Sequence, residues 1–135
     1  MKKPKLCIKE RGDNDQAVVL IPGMWTEDDG CDERWVRSLR DSGFEGTIYD
    51  YVWDSSNELG ALQRIVAAVP TGTVAGGLLM GAMPVGLAAL RYYWTTLKSR
   101  AKKAGADFLA DALEKGVAES HVTLLGHSLG ARVAY

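Results

Sequence analysis

The sequence predicts an α/β fold with a mainly parallel sheet and flanking helices. Two observations carry this prediction. Short apolar runs rich in β-branched residues, typical of strands covered on both faces, recur along the chain. Between them lie segments in which apolar residues recur every three or four positions, as in helices that pack one face on a sheet. The 135 residues, of which 47% are hydrophobic, predict one domain over residues 1–135.

Turn residues mark the ends of the first predicted strands and helix. Residues 6–8 predict a short strand at the sheet edge. Residues 17–21 are continuously apolar and predict a buried parallel strand, which Pro22-Gly23 ends. Acidic residues from Asp28 onward favour a helix start, and Gly43 stops that helix.

The second half of the chain repeats the alternation. Residues 47–53 predict a strand, and Ser55 with Glu58 forms a capping box that starts a helix ending near Pro70. A later helix is expected from about Arg91. Its predicted buried face consists of Trp94, Leu97, Ala101, Ala104, Phe108 and Ala112. Residues 121–125 predict another buried strand, followed by a glycine turn and a helix-forming run up to Tyr135.

Composition excludes several classes of protein. The net charge is −1, with 16 basic and 17 acidic residues, so no nucleic-acid partner is expected. Cys7 and Cys31 lack metal-ligand spacing with either histidine, so we expect neither a metal nor a cofactor. The N-terminus lacks the apolar run of a signal peptide, which predicts a cytoplasmic and not a secreted protein.

The motif with the clearest chemical meaning is Gly126-His127-Ser128-Leu129-Gly130. It matches GxSxG, the nucleophile elbow, and stands between a predicted strand and a predicted helix, as that motif requires. We therefore predict Ser128 as a catalytic nucleophile in a strained turn. Gly126 and Gly130 would leave the space that the turn needs.

An oxyanion hole is predicted beside this turn. One donor would be the backbone N–H of Leu129, and the second would come from the loop after residues 17–21, where we assign it to the N–H of Met24. Trp25 and His127 are expected to form walls of the site. His121 is expected on the surface, too far along its strand to serve Ser128.

The remaining triad members are missing from their usual positions. In this type of hydrolase an Asp or Glu and then a His follow the serine, and the seven residues after Ser128 contain none of them. We therefore expect an incomplete domain, truncated after the elbow, and a chain that is inactive by itself. A completing chain or an oligomer could supply the rest.

An apolar insertion occupies about residues 65–90. It has no charged residue and is followed by Tyr92, Tyr93 and Trp94 and by the basic stretch Lys98–Lys103. Its glycines, Pro70 and Pro84 argue against a single membrane-crossing helix. Three interpretations stay open: a hairpin that dips into a membrane surface, a lid over the site, and buried packing.

Several segments together resemble a known family. They are IPGMW at 21–25, YVWDSSNELGAL at 51–62, RAKKAGADFLADAL at 100–113 and HVTLLGHSLGARVAY at 121–135. The chain resembles the α/β-hydrolase family typified by transmembrane and coiled-coil domain-containing protein 4, over about residues 18–135. The resemblance implies a partial α/β-hydrolase fold, a serine nucleophile at Ser128 and an association with membranes, with no established substrate.

Motif and resemblance lead to one expected function and two alternatives. The expected function is a serine hydrolase that acts on an ester or thioester, with a small molecule or a lipid as substrate. The first alternative is a non-catalytic module that binds a membrane or a partner, and the second is a truncated pseudoenzyme.

Overall fold

The computed structural model describes residues 1–23, 33–55 and 77–135. The strands in these ranges are β1 (Lys5–Glu10), β2 (Gln16–Ile21), β3 (Thr47–Val52) and β4 (His121–Gly126). The helices are α1 (Glu33–Asp41), α2 (Gly77–Ala104), α3 (Ala110–Gly116) and α4 (Leu129–Ala134). A π-helical turn, Gly105–Leu109, joins α2 to α3.

The four strands form one sheet in the order β1-β3-β2-β4. β2 lies in the centre and runs parallel to both neighbours, with Val19 opposite Tyr49 of β3 and Leu124 of β4. β1 pairs antiparallel with β3 at the edge, where the sequence predicts an edge strand. The predicted α/β fold with a mainly parallel sheet is confirmed.

Helices cover both faces of the sheet. Val19 and Ile21 of β2 point into a core built with α2 and α4. Val18 and Leu20 point to the opposite face, where Val36 of α1 packs. Successive side chains of a strand alternate between faces, so a strand covered on both sides must be apolar throughout. This explains the uninterrupted apolar run of β2.

The long helix differs from its prediction in extent and in its buried face. Within the described residues α2 already begins at Gly77 and continues through Pro84, whereas the sequence predicts a start near Arg91. Tyr93 is buried, and Trp94, predicted to be buried, is 42% exposed. The buried positions Tyr93, Leu97, Ala101 and Ala104 are spaced by four, four and three residues. Trp94 lies about 100° around the helix from Tyr93 and so leaves this face.

The π-helical turn explains why Phe108 was wrongly predicted to be buried. A π turn contains an extra residue, which moves the buried position one place along the chain. Leu109 is therefore buried, and Phe108, predicted for the core, is partly exposed. The Tyr51 hydroxyl donates a hydrogen bond of 2.9 Å to the Ala104 carbonyl, at the residue preceding this turn. Burial raises the pKa of Tyr51 to about 12, so the hydroxyl keeps its proton at neutral pH.

Some predictions fall outside the described residues. They are the oxyanion donor Met24, the wall residue Trp25, Cys31, the helix from the capping box to Pro70, and residues 65–76 of the apolar insertion. In the part of the chain that the structure describes, no helix combines the length and the apolar character needed to cross a bilayer.

Candidate functional site

The candidate site lies where two parallel strands end side by side. β2 and β4 are neighbours, and Ile21 at the end of β2 is in register with Gly126 at the end of β4. The next described helix after β2, α1, packs on one face of the sheet, and α4 after β4 packs on the other. Diverging connections of this kind leave a crevice at the carboxyl edge, where open α/β sheets bind their ligands.

Ser128 occupies the turn between β4 and α4 in a strained conformation. Its φ is 54° and its ψ is −122°, and among the described non-glycine residues it alone has a positive φ. A backbone conformation of this kind costs about 1–3 kcal/mol and persists where surrounding structure enforces it. The side chain is exposed at the carboxyl edge of the sheet, as a nucleophile must be.

Two glycines give this turn its space. A Cβ on Gly130 would overlap the carbonyl oxygen of Ile21 and would lie 2.7 Å from that of Pro22. A Cβ on Gly126 would lie 2.6 Å from the backbone nitrogen and Cα of Ala131. The sequence prediction that both positions require glycine thus has a direct steric cause in the fold.

Backbone hydrogen bonds and the packing of α4 hold the Ser128 turn in place. The N–H of Gly130 donates to the His127 carbonyl at 2.8 Å, and that of Ala131 donates to the Ser128 carbonyl at 3.1 Å. α4 also lies against the π-helical turn, so closely that a Cβ on Gly105 would overlap the Val133 carbonyl oxygen. These contacts fix the helix that follows Ser128 and thereby the serine itself.

Backbone N–H groups lie next to the serine. Leu129 is the first residue of α4, so its N–H has no acceptor within the helix and is free to face a ligand. On the other side, Gly23 reaches Ser128 closely enough that a Cβ on it would lie 2.9 Å from the Ser128 Cβ. Gly23, the last described residue after β2, therefore lies beside the serine.

Trp53 is a site residue that the sequence reasoning missed. Its indole Nε1–H donates a hydrogen bond of 2.8 Å to the Pro22 carbonyl, and its side chain is 2% exposed. The sequence predicts Trp53 at the end of the third strand, but a strand pattern holds no signal for a partner 31 residues earlier. The sequence feature that could have indicated Trp53 as a site residue is its position at the predicted carboxyl end of a strand, where the sites of parallel sheets lie.

The two histidines lie at opposite ends of β4. The His127 ring is exposed at the rim of the crevice, 5.8 Å from the Trp35 ring at an interplanar angle of 60°. His121 is exposed at the start of β4, with Nδ1 3.8 Å from a carboxylate oxygen of Asp15. His127 is thus placed beside the serine, and His121 is remote from it.

Other acid–base and metal chemistry is limited in the described ranges. No described residue hydrogen-bonds to the Ser128 hydroxyl. Asp54, a carboxylate just beyond the end of β3, is engaged elsewhere. It accepts a hydrogen bond of 3.0 Å from the backbone N–H of Lys2 and lies 3.7 Å from the guanidinium of Arg100. Residues 1–23, 33–55 and 77–135 contain no group of three potential metal ligands.

A protein-family model described as a protein of unknown function (DUF726) matches residues 18–135. The chain belongs to the DUF726 family. The match includes β2, β4, α4 and every residue of the site described above, whereas β1 lies outside it. The DUF726 description assigns no activity. Comparisons with curated proteins and with solved structures returned no match.

Proposed function

We propose that this DUF726 chain carries the nucleophile and the oxyanion-hole segments of a serine hydrolase of the α/β-hydrolase type, acting on an ester or thioester. The observation that carries the proposal is the conformation of Ser128. A serine with a φ of 54° and a ψ of −122°, exposed between a parallel strand and a helix and enclosed by two sterically required glycines, has the form of a nucleophile elbow.

The geometry supports acyl transfer. The Ser128 Oγ would attack the substrate carbonyl carbon, and the electron pair of the C=O π bond would move to the carbonyl oxygen. The N–H of Leu129 and a second N–H from the loop after β2 would stabilise that oxyanion. Collapse of the intermediate would expel the alcohol or thiol, which takes up the proton lost by Oγ through a general base. Water would then hydrolyse the acyl-enzyme and restore the serine.

The position of the serine gives independent support. Ser128 follows the strand next to β2, and the Pro22-Gly23 segment follows β2 itself, so both lie at the crevice between diverging connections. In α/β-hydrolases the second oxyanion donor comes from such a loop after an earlier strand. The Gly23–Ser128 contact brings these two parts of the proposed site together.

A fluorophosphonate probe tests the proposal in the full-length native protein. This reagent phosphonylates activated serines, so intact mass should show one adduct, which Ser128→Ala abolishes. The matched control is Ser42→Ala, because the Ser42 hydroxyl is exposed but donates to the Leu39 carbonyl at 2.7 Å far from the crevice. Ser42→Ala should be labelled like wild type. Absence of labelling, or labelling that survives Ser128→Ala, would refute the hydrolase proposal.

The second candidate function, membrane association, is favoured by one observation on α2. Leu87 and Trp94, which lie seven residues apart on one side of α2, are 64% and 42% exposed, although α2 buries a neighbouring face in the core. The Lys98 ammonium lies 6.0 Å from the centre of the Trp94 ring. Exposed aromatic side chains next to a lysine are typical of elements that rest on a lipid headgroup region. A lipid ester would then be a natural substrate.

Vesicle co-sedimentation separates this candidate from hydrolysis of a soluble ester. Wild-type protein should bind vesicles that contain phosphatidylserine, and replacement of Leu87 and Trp94 by serine should weaken binding about tenfold or more. Ile8→Ser is the matched control, because Ile8 is also an exposed apolar side chain but lies on β1. Equal binding by the double variant and the control would exclude this surface.

A further inference from the structure

We propose that Trp53 is a positioning residue of the catalytic site and holds the Pro22-Gly23 segment in the orientation that the oxyanion hole requires. This inference rests on the proposed hydrolase function and extends it to a residue just beyond the end of β3. The Trp53 side chain is 2% exposed, so it would act on the site through the peptide between Pro22 and Gly23 and not by contact with a substrate.

The hydrogen bond from Trp53 is buried. The indole Nε1–H lies 2.8 Å from the Pro22 carbonyl oxygen, and the Trp53 side chain is among the largest that are fully buried in the core. Away from water, a hydrogen bond is electrostatically stronger, and a carbonyl that lost its donor there would carry a desolvation penalty. The Pro22 carbonyl is therefore directed firmly toward Trp53.

The peptide before Pro22 is fixed by the Ser128 turn. The Ile21 carbonyl accepts a hydrogen bond of 3.1 Å from the N–H of His127, the residue before the proposed nucleophile. Gly130 packs on the oxygens of Ile21 and Pro22 so tightly that a Cβ would find no room. The end of β2 is thus held between the Ser128 turn and the Trp53 indole.

Peptide planarity transmits this restraint to the loop. The C=O of Pro22 and the N–H of Gly23 belong to one rigid plane and point in opposite directions, so fixing the carbonyl also fixes the N–H. Gly23 itself has no side chain that could restrict its torsion angles. The indole hydrogen bond therefore sets the orientation of the peptide plane that enters Gly23, at the point where the chain passes Ser128.

Loss of the indole donor should slow the reaction at Ser128 without removing the serine. A displacement of about 1 Å in a catalytic group lowers rates by up to about 100-fold, and loss of an oxyanion donor costs about 100- to 1,000-fold. We expect Trp53→Phe to lower the maximal rate of fluorophosphonate labelling about 10- to 100-fold. The reagent concentration for half-maximal rate should change little, because the Trp53 side chain is buried and presents no surface to the reagent.

The matched control is Tyr51→Phe. Tyr51 lies on β3, two residues before Trp53, and belongs to the same core, and its hydroxyl also donates a buried hydrogen bond to a backbone carbonyl, that of Ala104 at 2.9 Å. Both variants lose one such bond, but the bond of Tyr51 ends on α2 and not on the loop beside Ser128. Tyr51→Phe should therefore be labelled within about twofold of wild type, with rates compared below the unfolding midpoint of each variant.

A second substitution separates the hydrogen bond from the volume of the ring. Benzothienylalanine at position 53 replaces the indole N–H by sulfur and keeps the shape of tryptophan, so it should fold even where Trp53→Phe does not. It should slow labelling as Trp53→Phe does. Labelling of the analogue at the wild-type rate would overturn the positioning role and leave the hydrolase proposal intact. If the wild-type protein is not labelled at Ser128, both proposals fail together.

Discussion

Gly23 and Ser128 touch across the carboxyl ends of β2 and β4, although they are far apart in sequence. The space between them is so small that a Cβ on Gly23 would lie 2.9 Å from the Ser128 Cβ and 3.1 Å from the His127 carbonyl oxygen. Real Cβ atoms almost never come as close as 2.9 Å to another heavy atom, and 3.1 Å is tighter than most real Cβ contacts. The contact therefore requires glycine on the loop side and couples the loop position to the serine.

Gly23→Ala should consequently disturb the site more than the fold. The added methyl group would push the loop away from Ser128, and the rate of fluorophosphonate labelling should fall about tenfold. The free energy of unfolding, measured by urea denaturation, should change by about 1 kcal/mol, because the atoms nearest to the added methyl group belong to His127 and Ser128 in the exposed turn. The control is Gly116→Ala at the end of α3. Its added Cβ would also be crowded, at 2.8 Å from Leu6 Cδ2, but by a side chain of β1 and not by the Ser128 turn. Slower labelling of that control would argue against a local effect at Ser128.

The strain at Ser128 predicts opposite effects on stability and activity. Glycine adopts a positive φ without penalty, so Ser128→Gly should release about 1–3 kcal/mol of strain and lose about 0.5–1 kcal/mol through the freedom of the unfolded chain. The net result should be a protein about 1 kcal/mol more stable than Ser128→Ala. Chemical denaturation compares the two, and neither should be labelled. Equal stability of the two variants would mean that the turn carries no strain.

Gly130→Ala tests the steric requirement of the turn. The new Cβ would overlap the Ile21 carbonyl oxygen, which is a backbone atom of the central strand and cannot yield easily. We expect a loss of about 3 kcal/mol in the free energy of unfolding. Gly43→Ala serves for comparison, because Gly43 has a φ of 86° but no atom within 4 Å of the added Cβ. Its cost should be about 1 kcal/mol, from backbone conformation alone. Equal costs would contradict the overlap argument.

The sequence predicts the local features of this fold well. The apolar run at 17–21 and the GxSxG pattern depend on short-range rules, namely alternation along a strand and the need for glycine in a tight turn, and both are found at the expected residues. The strand pattern also shows which segments join the sheet. It does not give the order β1-β3-β2-β4, because that order is set by the crossovers.

The predictions that were wrong, and the contact that was missed, depend on tertiary structure and not on the local residue pattern. Trp94 and Tyr93 differ little in hydrophobicity, so the periodicity could not decide which of them faces the sheet. The π-helical turn at Gly105–Leu109 then moved the buried position from Phe108 to Leu109, and nothing in the residue pattern marks this extra residue. The Trp53–Pro22 hydrogen bond was missed for the same reason, since it depends on tertiary structure and not on spacing.

The amino end of β4 is tied to the sheet by two carboxylates, which makes stability depend on pH. The Asp15 carboxylate accepts a 2.8 Å hydrogen bond from the N–H of Ser120, and this bond, followed by that of the Ser120 hydroxyl, holds the Asp15 pKa below its usual value. The Tyr49 hydroxyl donates to Glu119 at 2.7 Å. Burial raises the pKa of Glu119, but hydrogen bonds from Thr47 and Tyr49 outweigh it, and the pKa is lowered.

Lowered pKa values in the folded state mean that acid protonates the unfolded chain first. The stability that these carboxylates contribute is therefore fully present above the unfolded pKa values, near 3.8 for Asp and 4.5 for Glu, and is lost as the pH falls through the lower folded values. The urea midpoint should decrease from pH 6 to pH 3. In the double variant Asp15→Asn/Glu119→Gln the decrease should be smaller, whereas the control Glu114→Gln, on the exposed side of α3, should retain the wild-type dependence. A double variant with the wild-type pH profile would show that other groups hold the amino end of β4.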